Sequence, residues 1–559
     1  MKKILKGGVH NMRKSAWLLS IMLILSLFLA ACGKSTNTDE KKSGNKEKEE
    51  AVGEPQKGGD LIIGTTGSPT MFNPLYSTDA VSGDVEDMIF DHLIESDPDN
   101  EFRPKNKLAE SIEESDDGLT YTVKIHEGVK FHDGEELTAD DVVFTYSIPL
   151  SDDYDGQRMQ YFEALESVEK KDDYTIVFKL KKVDAQFHSV GLGFGILPEH
   201  ILGDVPIKDL GEHSFNTKEP IGSGPFKFGE WKEGEYVKLE ANEDYWQDGP
   251  YLDTVTFKII PDADTILAQL QKGEIHFYDA IPQSEVDTVQ GFVDAANLKL
   301  ESGLGLAYTF LGYNFKNELF QDKKVRQAIT HALDREAMIE NVMNGYGEVA
   351  HVPESPLSWA YNPDVPKFEY DVEKAKKLLK EAGWEPGADG ILEKDGKKFS
   401  FELKTNQGNK IREDLVVIIQ EQLKEVGIEV KPQIMEFSAL IADIDPPHRK
   451  YDAMVLGWSL AVDPDPSGIF HSKEIENGLN HGSYSNPELD KKMEAQLQEK
   501  DEKKRIEVIG EIQAELAEEQ PYTFLYYPEE YRAMPKNMHG YHFHGKKPYH
   551  NIHEWWLEQ

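Results

Sequence analysis

Cysteine is almost absent from this chain. Cys32 is the single one in 559 residues, so no internal disulfide can staple the fold. There is no second apolar run of membrane-spanning length after residue 29, so no helical span is expected in the rest of the chain. Basic residues are outnumbered, 61 against 102 acidic ones, which leaves a net charge of −41. That balance argues against nucleic acid or an anionic membrane surface as the main partner, and otherwise suits solubility in a charged envelope. Catalytic signatures are missing as well. No Gly-x-Ser-x-Gly, no His-Glu-x-x-His and no phosphate-binding loop occurs. These absences weigh against an envelope hydrolase, and no enzyme activity is expected.

What is present begins at the amino end. Met12-Arg13-Lys14 is a basic segment, and the 14 residues Ala16 to Leu29 are apolar but short for a bilayer span. Leu29-Ala30-Ala31-Cys32 follows and resembles a lipobox, in which the signal is cut before Cys32 and the thiol is lipidated. Residues 1–31 then read as signal peptide, and 32–57 as lipidated cysteine and flexible tether. The tether is charged and poor in apolar groups, so it cannot bury enough surface to fold. The expected place is the outer face of the cell membrane, lipid-anchored. The eleven residues before Met12 include Lys6-Gly7-Gly8, which a purine-rich ribosome-binding sequence could encode, so Met12 is expected to be the true start.

About 500 residues follow the tether, too many for one hydrophobic core, so two or three lobes are expected. Leu119–Ile125, Tyr174–Leu180 and Val255–Ile259 alternate with period two and read as strands. Val325, Ile329, Ala332, Leu333, Ile339 and Met343 fall on one face of a single helix ending near Gly345. Asp371 caps a helix over 372–382 that Gly383 ends, and Ile411 to Val426 is amphipathic and stops at Gly427. Asn486-Pro487 opens another helix, and Asp501 one that runs to about Glu519. Strands first and mixed helix and strand later fit an α/β or α+β assembly with discontinuous lobes.

Several blocks, in order, resemble family 5 of the extracellular solute-binding proteins, the peptide- and nickel-binding components of ABC importers. They are Leu108-Ala-Glu-Ser, Asp116 to Ile125, Gly128 to Gly134, Leu137 to Phe144, Pro220 to Phe228 and Ala241 to Trp246. Val325 to Ile329, Asp334 to Glu336, Tyr370 to Trp384, Tyr451-Asp452, Gly457-Trp458 and Tyr484 to Pro487 continue the series. Most of these blocks also read as turns and helix starts, and His132-Asp133 belongs to that scaffold. The resemblance implies a two-lobed, periplasmic-binding-protein-like (Venus flytrap, type II) α/β fold with an extra domain. It implies a discontinuous base lobe over 58–95, 211–301 and 525–559, an additional strand-containing domain over 96–210 and a second lobe over 302–524. Two crossover strands would join the lobes, which would close on a ligand. The implied function is capture of oligopeptides for an ABC permease, by a monomer that needs no cofactor. The alternatives are a dipeptide, metal-chelate or sugar-oligomer binder, or a peptide-sensing receptor not coupled to transport.

Site residues follow from the same resemblance. In peptide-binding relatives an aspartate shortly after the Gly-Trp pair holds the ligand's α-amine. Here Ala461 or Val462 occupies that position, and Asp463 and Asp465 lie further on. The departure fits peptides longer than three residues with ends less strictly held, and Asp463 is the preferred contact for the amine. Asp463-Pro464-Asp465-Pro466 also reads as a stiff turn. Trp458 either lines the cleft or fills the core. Phe72 and Asn73 lie in a segment resembling a ligand-facing loop, Tyr313 and Asn314 in one resembling the crossing strand, and Trp359 in a loop where relatives meet ligand. Tyr313 reads equally as core. In the tail, His542-Phe-His544 puts two imidazoles on one face of a strand, which would suit a transition metal or plain solvent exposure. No metal is expected.

Overall fold

The computed structural model describes residues 53–559. Cys32, the signal segment, Met12 and most of the tether lie outside the described residues.

The period-two segments are strands, and their alternation does the packing. Thr120–Ile125 buries Tyr121, Val123 and Ile125 on one face and turns threonine and lysine outward. It is a central strand of an antiparallel sheet ordered 109–114, 120–125, 175–180, 165–172. A second four-stranded sheet runs 60–65, 254–259, 236–241, 226–232, with its first pair parallel. These two sheets share one continuous hydrophobic cluster, from Leu61 through Phe257, which the carboxyl-terminal Met534, Met538 and Trp555 complete. The two sheets therefore share one core.

The second lobe is built differently. Strand Ser400–Asn406 lies parallel to Glu429–Met435 and to Ala453–Ser459, and helix Lys410–Glu425 covers the sheet through Leu415, Ile419 and Leu423. Parallel strands with a helical crossover point their carboxyl ends to one side, where such sheets bind ligands.

Two segments join the lobes. Strand Tyr522–Pro535 pairs through its first half with Ala307–Tyr313 in the second lobe and through its last half with Leu298–Leu304 in the base lobe. The chain crosses between lobes near 304–307 and again near 526–529, where the Gly305 N–H donates to the Pro528 carbonyl at 3.1 Å. The two segments thus run side by side.

Helix boundaries follow local capping. Asp371, Asn486 and Asp501 each accept backbone N–H bonds from their own first turns. The single helix expected over 325–343 is two, Lys323–Ala332 and Arg335–Val342. The apolar phase continues through Leu333, but that residue is extended, and the Asp334 carboxylate caps the new helix by accepting from the Ala337 N–H at 2.9 Å. The Pro220–Pro225 segment follows the short helix Phe215–Lys218 and packs against 88–89. A β-carbon on Gly222 would lie 2.0 Å from the Ile89 carbonyl oxygen, so only glycine fits.

Candidate functional site

Strand Ala453–Ser459 carries the Gly-Trp pair at its carboxyl end. A β-carbon on Gly457 would lie 2.8 Å from the Arg412 guanidinium, which would have to shift to admit it. Trp458 is half-buried. Its ring lies parallel to Phe310, at 6.2 Å between centroids, and to His481, at 5.6 Å, while Phe310 stacks on Tyr522 at 4.1 Å. Trp458 therefore belongs to an aromatic stack at the lobe's inner end, part core and part wall.

The chain then turns through residues 460–466, where the Leu460 N–H donates to the Leu306 carbonyl at 2.7 Å. Asp463 is 3% exposed. Arg505 binds it in bidentate fashion, Nη2 to Oδ1 at 2.6 Å and Nη1 to Oδ2 at 2.8 Å. Two donors reach it from the strand-containing domain, the Ser189 hydroxyl at 2.8 Å and the Gln186 amide at 3.4 Å. Asp465 is held by neutral groups. It accepts from the Ser467 N–H and hydroxyl, from Gln496 Nε2 at 2.7 Å and from Gln186 Nε2 at 3.1 Å. Gln496 also accepts from Arg505 Nε at 2.9 Å, which ties the two aspartates into one network.

Trp359 lies beside that network. Arg505 sits 5.4 Å from its ring centroid and Arg103 of the strand-containing domain 5.5 Å. Arg103 also donates to Glu502 at 3.2 Å, and Lys500 bonds the Asp116 carbonyl across the same junction. A cavity of about 140 Å³ remains here, bounded by Arg103, Asp184, His188, Trp359 and Arg505.

Electrostatics follow from this crowding. Burial pushes Asp465 up to about 6, with Asp463 adding to it, and pushes Glu354 up to about 8, with Asp463 and Asp465 beside it. Asp184 rises too, through burial and then Asp463. Burial works against the Arg505 charge, and the Asp463 and Asp465 carboxylates more than offset it.

Four of the expected contacts are buried and have protein partners in this arrangement. Phe72 is fully buried against Phe228 and Trp231. Asn73 is fully buried too; its amide donates to Asn216 at 2.9 Å and its oxygen accepts from the Leu75 N–H. Tyr313 is core, with its hydroxyl 2.7 Å from the Thr523 hydroxyl. Asn314 donates to the Tyr451 and Arg449 carbonyls and accepts from the Lys316 N–H, so its amide is already engaged. Asp463, preferred for an amine, has its charge met by Arg505. The structure thus brings Asp463, Asp465 and Trp359 together, with Trp458 on the strand that leads to them.

Sequence reading missed Arg412. It lies at the carboxyl ends of the parallel strands, donates to Asn406 Oδ1 at 3.0 Å and makes no ion pair among the described residues, and burial lowers its pKa. It also missed a charged group at strand Tyr522–Pro535. Buried Arg532 pairs with Glu530 at 2.8 Å, Asp84 and Asp279 stand near it, and Lys546 reaches Ser459 of the second lobe at 2.7 Å. No local pattern joins positions so far apart in the chain. The tail histidines do other work. His544 is buried and accepts the Lys546 and Lys547 N–H bonds at Nδ1, so the ring is neutral, and burial followed by the neighbouring His550 pushes its pKa down to about 2. His542 faces Asp99 at 3.3 Å. Among the described residues no group of three or more His, Cys, Asp or Glu could hold a metal ion, and no helix is long and apolar enough to cross a membrane.

Comparison with known proteins adds the following. The profile of the bacterial extracellular solute-binding proteins, family 5 Middle, matches residues 103–478. The oligopeptide-binding protein AppA of Bacillus subtilis is 55% identical over 550 residues, 98% of this chain and 99% of that one. Its solved structure, in complex with a nonapeptide, superposes with a TM-score of 0.78 at 56% identity, covering 90% of this chain and 100% of that one. NikZ of Campylobacter jejuni, solved with Ni(L-His), gives a TM-score of 0.78 at 29% identity, covering 89% and 99%.

Proposed function

Because the chain belongs to family 5 of the bacterial extracellular solute-binding proteins, we infer that it is the substrate-binding component of an ABC importer and that its ligands are oligopeptides. It is a binding protein and not an enzyme. The observation that carries this reading is the 55% identity, sustained over 98% of the chain, to a protein named for oligopeptide binding.

Peptide lies between the lobes, against the carboxyl ends of strands 400–406, 429–435 and 453–459. The exposed part of Trp458 forms part of the wall, and Arg412, which has no ion pair among the described residues, takes a peptide carbonyl or carboxylate. Backbone hydrogen bonds supply most of the affinity, as when a strand is added to a sheet. Ligand contacts to both lobes shift an open population toward the closed one. Cys32 carries the lipid that holds the protein at the outer face of the membrane; Leu-Ala-Ala before the lone cysteine supports this. The monomer delivers its peptide to two permease subunits. Native mass spectrometry of the mature protein with a mixed nonapeptide pool tests the main claim. A one-to-one peptide complex is expected, and no retained peptide at tens of micromolar would overturn it.

A further inference from the structure

Asp463 and Asp465, the two carboxylates that follow Trp458 in the chain, are both engaged inside the protein. An ionised carboxylate offers about four acceptor sites. On Asp463 these meet Arg505 Nη1, Arg505 Nη2, the Ser189 hydroxyl and the Gln186 amide. On Asp465 they meet two groups of Ser467, Gln496 and Gln186. An ammonium group would have to displace a buried, bidentate guanidinium to reach Asp463, and the displaced Arg505 would then be left without its ion-pair partner. Glu354, 6% exposed, lies among the same acids with no cation of its own.

Two of those donors belong to the strand-containing domain, whereas Asp463, Asp465 and Arg505 belong to the second lobe. The network therefore spans the junction that opens when the lobes part. Arg103 on Glu502, and Lys500 on the Asp116 carbonyl, cross at the same place.

We propose that Asp463 and Asp465 act as a latch between lobes and not as a seat for the ligand's α-amine, so that the protein accepts peptides whose amino end is blocked by an acyl group as readily as free ones. This rests on the oligopeptide reading above and deepens it. The ligand class then includes formylated, acetylated and amino-terminally cyclised peptides, together with longer peptides whose amino end runs out of the cleft. The latch supplies closure energy that is independent of the ligand's charge, and the peptide backbone supplies the rest.

The groups that face Asp463 and Asp465 are Arg505, Gln496 and Ser467 from the second lobe, Asp184, Gln186 and Ser189 from the strand-containing domain, and Glu354 from the loop beside them. Net charge adds a weak, unspecific term. A chain at −41 attracts any free amine over long range, but 0.15 M salt screens that attraction beyond about 8 Å.

The test is calorimetry on the mature protein at 0.15 M salt. One nonapeptide of Gly, Ala, Ser, Thr and Val residues is compared with its acetylated form, and the result is repeated with a mixed nonapeptide pool in both forms. Dissociation constants within fivefold of each other are expected. A loss of more than fivefold on acetylation overturns the proposal. Ser189→Ala and Gln186→Ala, which leave the Arg505 pair in place, are expected to weaken both forms by the same factor. If they leave both forms unweakened, or if they weaken only the free peptide, the latch is refuted. Failure of both pools to bind at all would refute the oligopeptide reading itself, which separates the two outcomes.

Discussion

Replacing Asp463 by asparagine removes the carboxylate that forms an ion pair with Arg505 among the described residues, leaves the Asp465 charge nearby, and puts an amide against the guanidinium. Both side chains are buried, with 0% exposure for Asp463 and 5% for Arg505. Removing one partner of such a pair leaves the other charge buried and uncompensated, at a cost of about 3–5 kcal/mol. The same contact on the surface would be worth about 1 kcal/mol or less. Burial is what decides between these magnitudes here. Unfolding entropy scales with the number of residues that melt together. The loss should lower Tm by roughly 3–5 °C if the whole described chain melts as one unit, and by about twice that if the second lobe melts alone. Differential scanning calorimetry with urea titration reads both quantities. Asp463→Leu with Arg505→Met should recover most of the loss, because apolar groups of similar size need no partner. A loss below about 1 kcal/mol for Asp463→Asn would show that the pair is open to solvent and that the latch argument starts from the wrong premise.

Glu354 and Asp465 stay protonated in the fold above the pH at which the unfolded chain ionises them, so their contribution is full below pH 4 and lost as pH rises toward about 6 for Asp465 and about 8 for Glu354. Glu354→Gln should therefore flatten the fall of stability between pH 5 and 8 by up to about 1.4 kcal/mol per pH unit, and urea melts across that range check it; an unchanged slope refutes the assignment. Gly222→Ala should cost about 1–3 kcal/mol or more, since its β-carbon would fall on the Ile89 carbonyl, and a melt within 1 °C of the wild type would deny the close approach. Cys32→Ala should move the protein from the membrane fraction to the medium or leave it on an uncleaved signal, and an intact mass beginning at any other residue without acyl chains would refute lipidation.

Features set by neighbours in the chain were legible before the fold was known. Period-two segments became strands because alternation alone decides which face is buried, as Tyr121, Val123 and Ile125 show. Asp371, Asn486 and Asp501 were readable as caps because a cap bonds residues two or three positions away. Where a local signal competed with periodicity, the cap prevailed: Asp334 divides what the apolar phase joins. Family position served less well for Phe72, Asn73, Tyr313 and Asn314. Their partners are Trp231, Asn216, Thr523 and Tyr451, each more than 130 residues away, and no spacing rule reaches that far.

The aspartates after Trp458 show what a sequence leaves out. In a chain with 102 acids and 61 bases, the 41 carboxylates in excess have no basic residue to pair with one to one, and such groups stay in water. An acid that goes inside needs a donor, and Asp463 and Asp465 solve that differently. Asp463 takes one of the scarce cations, Arg505, 42 residues further on. Asp465 takes amides, which carry no charge and so raise no further need for compensation. Gln496 is fully buried because it serves both, donating to Asp465 and accepting from Arg505. It shares the buried face of helix Pro487–Leu497 with Met493 and Leu489. A glutamine on the apolar face of an amphipathic helix costs burial energy unless something inside needs its amide. That misplaced polar group, readable at position 496 from helical spacing alone, is the sequence-level sign that a charge is buried nearby. It points inward, to a network that holds the lobes together, and away from a free aspartate waiting for a ligand.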